Sequence, residues 1–94
     1  MSIVEKMCPV VGGVDTHADV HVAAVVDHLG GVLGIEAFDT TEAGYQQLVR
    51  WLRAHGSVRL VGVEGTGSYG AGLARHLTRA GIELVAKHIA PRLG

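Results

Sequence analysis

A chain of 94 residues with 48% hydrophobic but only 4% aromatic residues has material for one small domain, with a core of Val, Leu, Ile and Ala rather than the aromatic anchors of a binding module. A formal charge of -1, with Lys and Arg spread along the chain, shows no basic stripe, so a nucleic-acid partner has to be argued from a site. The lone Cys8 excludes an internal disulfide and fits a reducing cytoplasm, and apolar runs broken by Asp27 and His28 give neither a signal peptide nor a membrane span.

After a leader over residues 1–9, residues 10–14 and 20–26 are apolar, β-branched runs and are predicted as strands. Leu29-Gly30-Gly31 separates the second run from a third strand at 32–38, so the first three strands make an antiparallel meander. At Asp39-Thr40-Thr41-Glu42 the signal changes: Asp and Thr are N-cap residues, and Tyr45, Leu48, Val49 and Leu52 recur at helical spacing, predicting a helix over 41–55 that stops at Gly56. Residues 59–64 form a fourth strand, apolar enough to be buried on both faces. A second helix is expected from near Ser68 to Ala80, with Leu73, Leu77 and Ala80 inward and Gly81 as its stop, followed by a last strand at 82–86. The order β-β-β-α-β-α-β predicts an α/β domain over 10–87 whose first, fourth and fifth strands run parallel in a mixed sheet. Residues 88–94 have no periodic pattern and read as a divergent, frayed tail.

The stretch from Gly65 to Gly70 has the spacing of a dinucleotide-binding loop, with a strand before it and a helix after it. Its next strand lacks the terminal acid that would hold a ribose, and Glu64 sets negative charge where a pyrophosphate would have to sit. A second arrangement accounts for Glu64 better. It closes the fourth strand as Asp15 closes the first, and if these strands are parallel neighbours the two carboxylates emerge at one sheet edge roughly 5 Å apart in backbone terms. Two acids at that spacing repel unless a hard divalent cation such as Mg2+ bridges them. The glycines then let the chain turn off the sheet beside the acids.

The motifs Gly13-Val14-Asp15-Thr16-His17 and Val61-Gly62-Val63-Glu64-Gly65-Thr66-Gly67-Ser68-Tyr69-Gly70 resemble the N-terminal region of IS110-type insertion-sequence transposases, which carry a DEDD acid set. The similarity runs from about Val10 to Val85. It implies a ribonuclease-H-like, RuvC-like domain in which Asp15 and Glu64 are the first two catalytic, metal-binding acids. Mg2+ is the implied cofactor, with Mn2+ as a substitute. DNA and a guide RNA are the implied partners of the whole protein, together with homo-oligomeric assembly. The family's later Asp-x-x-Asp pair and serine domain do not appear before Gly94, so a truncated or frameshifted reading frame, inactive in transposition by itself, is the expectation. Ala18 replaces a lysine often found after the His17 equivalent.

Other residues have plainer readings. Asp15, His17, Asp19 and His21 alternate and would make a transition-metal cluster on one continuous strand, but a turn near Ala18 makes solvated turn residues the default. Ser68 reads as an N-cap, the pairs Arg50/Arg53 and Arg75/Arg79 as solvated helix faces, and Trp51 as packing. The alternatives in function are an actin-like or sugar-kinase-like nucleotide-binding fragment and a noncatalytic remnant.

Overall fold

A computed structural model describes residues 8–65 and 69–87. It contains β1 (Pro9–Thr16), β2 (Val20–Asp27), β3 (Val32–Asp39), α1 (Glu42–His55), β4 (Ser57–Glu64), α2 (Ala71–Arg79) and β5 (Leu84–Lys87). The strands form one sheet in the order β3-β2-β1-β4-β5. β1, β2 and β3 pair antiparallel, while β1 pairs with β4 and β4 with β5 in parallel. This is the expected α/β element order and mixed sheet. Pro9 already belongs to β1, and the rest of the expected leader lies, Cys8 apart, outside the described residues, as does the tail at 88–94.

Local chemistry sets the connections. Asp27 closes the β2–β3 hairpin, its Oδ1 accepting from the Leu29 and Gly31 N–H groups at 2.9 and 2.8 Å. The Gly31 N–H, then the Leu29 N–H, hold this carboxyl below the usual aspartate value. Thr41 caps α1 by accepting the Gly44 N–H at 3.0 Å, the N-cap role its side chain suits. α2 begins later than expected, with Gly70 as N-cap and the Ala74 N–H donating to the Gly70 carbonyl at 2.9 Å; the anticipated cap, Ser68, lies outside the described residues. The helix ends in a Schellman motif, Ile82 N–H to Leu77 and Gly81 N–H to Thr78, which Gly81 permits at φ +78. That bond uses Ile82, and its side chain is buried in the core, so β5 starts at Leu84 rather than at 82.

The core lies between one face of the sheet and the two helices. Val10, Val14, Ala23, Val25, Val61 and Val63 point to Leu48 and Leu52 of α1 and Leu73 and Leu77 of α2. Strand alternation sends the intervening residues the other way. Val11, Ile35 and Val85 are exposed on that second face. The expectation that β4 is buried on both faces is therefore corrected: among the described residues, Val61 and Val63 are buried while Leu60 and Gly62 are only partly so and Glu64 is exposed. Its apolar run comes from a sheet covered by helices on one side.

His21 belongs to the covered face. It is fully buried against Tyr45, with ring centroids 5.9 Å apart and planes 10° apart. Neither ring nitrogen has a hydrogen-bond partner among the described residues. Burial lowers its pKa below 6.5, only partly offset by the Val20 backbone. As pH falls below about 6.5, the unfolded chain therefore binds this proton first, and stability present above that pH is lost progressively toward the lower folded value. Urea denaturation at pH 7.5 and 5.5 should show this loss in the wild type and a smaller one in His21→Leu. The variant should also be at least as stable at pH 7.5, since an unpaired buried polar group costs about 1–3 kcal/mol. Equal losses on acidification in both proteins would count against His21 as the acid-sensitive group.

Candidate functional site

The C-terminal ends of β1 and β4 lie side by side, and their register pairs Asp15 directly with Glu64. Both acids are exposed and lie on the face away from the helices. They share an open depression of about 440 Å³ with Gly13 and Gly62, the register pair one step back on the same face, and with Val22 and Ile35. A Cβ built on Gly13 or Gly62 meets nothing within 4 Å. Packing does not demand these two glycines; they leave bare backbone beside the carboxylates.

Thr16 fixes the arrangement from the other side of the sheet. It is only 5% exposed, and its hydroxyl donates to the Glu64 carbonyl at 3.0 Å. Gly65 packs so tightly on this hydroxyl that a Cβ there would collide with Thr16 Oγ1. In the sequence Thr16 is visible only as a member of the motif around Asp15. Its parity on β1 was the available signal, because a residue adjacent to an outward acid must point inward.

His17 Nε2 lies 3.4 Å from Asp15 Oδ2, with both side chains more than half exposed. In the sheet Glu64 is flanked by Asp15 on β1 and by Lys87, its register partner on β5. The alternating set Asp15, His17, Asp19 and His21 is not a cluster. β1 ends at Thr16, the chain bends at Ala18 and Asp19, and β2 carries His21 into the core. Among the described residues, no three His, Cys, Asp or Glu side chains are placed to hold a metal ion. Asp15 and Glu64 therefore form a two-carboxylate site, with His17 beside one member. Trp51 packs against Phe38 and His55, as expected of a structural aromatic.

The sequence matches the model of IS110-type DEDD transposases, described as transposase, over residues 12–91. The chain belongs to this transposase family. Its family acts in DNA transposition, which implies DNA binding, and DEDD transposases as a class use divalent metal ions. No curated protein matches the sequence. Solved structures match in fold: Pelota from Archaeoglobus fulgidus at a TM-score of 0.61 and 13% identity, covering 99% of this chain and 30% of that protein. Pelota from Thermoplasma acidophilum matches at 0.58 and 18%, covering 96% and 30%. The ethanolamine utilization protein EutJ from Carboxydothermus hydrogenoformans matches at 0.53 and 20%, covering 90% and 40%. The transposase chain thus spans less than half the length of these proteins, and at such identities the likeness concerns the fold alone. That fold is a small α/β domain of the ribonuclease-H-like, RuvC-like kind. Among the described residues of the transposase chain, no helix is long and apolar enough to cross a membrane.

The Thr16–Gly65 contact sets up a test of the site's scaffold. Gly65→Ala should destabilise the chain by about 2–3 kcal/mol through the collision with Thr16 Oγ1, and Thr16→Ala by about 1–2 kcal/mol through the lost hydrogen bond and methyl packing. The double variant should cost less than the sum, because removing the hydroxyl relieves the clash. Strictly additive urea-denaturation energies would show that the two residues do not press on one another.

Proposed function

We propose that this chain supplies the first two acids of a transposase's metal-dependent DNA-processing centre, Asp15 and Glu64. The carrying observation is their direct register pairing at adjacent parallel strand ends. Both donors are hard carboxylate oxygens, and both are exposed. Two such charges favour a divalent oxygen-seeking cation, Mg2+ or in its place Mn2+. The residues present fit that group. When bound, the cation supplies Lewis-acid polarisation of a phosphodiester.

The chain's own residues do the positioning. Thr16 and Gly65 hold the Glu64 backbone against β1, His17 orients the Asp15 carboxylate, and the bare backbone at Gly13 and Gly62 leaves room for a DNA strand to approach the acids. Two carboxylates leave most of an octahedral shell to water, so affinity is expected to be weak. Target choice by a guide RNA and assembly into oligomers belong to the same reading of the whole protein.

Thermal melts of the purified chain with Mg2+, Mn2+ or ATP without metal test the reading. At ten times the dissociation constant a bound cation stabilises by about 1.4 kcal/mol, so Mn2+ in the millimolar range should raise the midpoint by several degrees. Asp15→Asn and Glu64→Gln should each abolish the shift. Stabilisation by ATP alone, or a metal shift that survives both substitutions, would favour the nucleotide-binding alternative or a different metal site.

The glycine pair gives a separate check. Gly13→Val and Gly62→Val should leave stability unchanged or slightly raised, since space is free and valine suits a strand. Both should weaken Mn2+-dependent association with duplex DNA at least several-fold. Unchanged DNA association would remove the role assigned to the bare backbone.

A further inference from the structure

A formal charge of -1 hides a strong separation of sign in the folded chain. Arg50, Arg53, Arg75 and Arg79, half of the 8 lysines and arginines, all lie exposed on α1 and α2. These helices carry one acid, Glu42, and it is engaged with His76 Nδ1 at 3.2 Å. The remaining described acids lie on strands and loops. α2 forms a ridge between two shallow grooves. One, of about 330 Å³, holds Arg50 and Arg53 beside Gln46 and His76. The other, of about 380 Å³, holds Arg75 and Arg79 beside Thr78.

Each helix pairs like charges, although Arg53 and Arg79 stand in last turns, where a cation suits the helix dipole. Arg50 and Arg53 are three residues apart and Arg75 and Arg79 four, so each pair puts like charges on neighbouring positions, where a helix gains from opposite ones. Within the helices no acid stands three or four residues from any of them; Glu83, four residues after Arg79, lies beyond the end of α2. Arg53 has one structural task, Nη2 donating to the Ala80 carbonyl at the end of α2 at 2.9 Å. Nothing comparable holds Arg50, Arg75 or Arg79: among the described residues none of the three has an ion pair.

We propose that the helical layer is a second nucleic-acid contact, a phosphate-backbone track in which the two arginine-lined grooves flanking α2 hold duplex DNA. Charge complementarity favours this occupant. A duplex strand presents a negative charge about every 3.4 Å of axis, dense enough to meet arginines spaced within one helical turn. DNA is the polyanion this family acts on. The track lies on the opposite side of the sheet from Asp15 and Glu64 and needs neither carboxylate nor metal. It reads no sequence, since guanidinium groups on phosphates position a duplex without reading its bases.

The test is fluorescence anisotropy of the 94-residue chain with labelled duplex DNA in EDTA, which keeps metal binding at the acids out of the measurement. Between about 50 and 200 mM salt, log K should fall against log salt with a slope near -2.7 for three phosphate contacts. Arg50→Gln, Arg75→Gln and Arg79→Gln should each lower the slope by about 0.9, and the triple variant should bind at least tenfold more weakly at low salt. The triple Arg→Lys variant should retain most of the affinity, and Asp15→Asn/Glu64→Gln should bind as the wild type. If the triple Gln variant fails to fold, the three single slopes decide. The proposal is overturned by absent wild-type binding, by unchanged slopes, by an equal loss in the acid variant, or by tighter binding of an RNA duplex of the same sequence. Because the assay contains no free metal, a failed metal-stabilisation experiment at the acids leaves its outcome unaffected.

Discussion

The hydrogen bond from the buried Thr16 hydroxyl to the Glu64 carbonyl ties together the two strand ends on which the site stands. These strands are parallel in space and distant in sequence, with β2, β3 and α1 between them along the chain. Parallel pairing of that kind is slow to form and depends on the crossover packing against the sheet. The bond is local, but the closure it secures is the whole domain's. Gly65 completes it: with no Cβ, the chain leaves β4 over Thr16 Oγ1 at van der Waals range and turns toward α2.

Strand alternation converts this inward contact into outward geometry. Thr16 points to the helices because Val14 and Val10 do, and Asp15 therefore points away from them. Along β4, Val61 and Val63 point inward and Glu64 outward by the same rule. Each acid sits next to a buried neighbour that cannot rotate, so the carboxylates stay in register without contacts of their own to the core. Register thus relates the two exposed side chains, with His17 beside Asp15.

Much of this was legible from spacing alone. The meander, the helix capped by Thr41 and the parallel placement of the first and fourth strands all follow from periodicity and turn chemistry, and the Asp15–Glu64 register is their consequence. Other features had no local signal. The apolar stretch within residues 59–64 reads the same whether one or both faces are covered, because the covering elements are distant in sequence. The turn near Ala18 was legible, but with solvated turn residues as the default for all four alternating polar residues nothing short-range says that β2 takes His21 under Tyr45. Asp27 read as an interruption of an apolar run, whereas it accepts the two backbone bonds that close its hairpin. A linear charge count also missed that four of the arginines gather on the two helices.

The parity rule therefore divides the molecule into two kinds of position. Val10, Val14, Thr16, Val61 and Val63 face the helices, fill the core and carry stability. Gly13, Asp15, Gly62 and Glu64 face outward, and none fills a space the fold needs. A valine at residue 13 or 62 would suit a strand better than glycine does and would meet no obstacle. Glycine at both positions of one register pair, beside two exposed carboxylates, is a departure from what folding alone would select. Residues that fail the local rule with no structural return are where function is to be sought, and on this sheet they stand together at the end of β1 and β4.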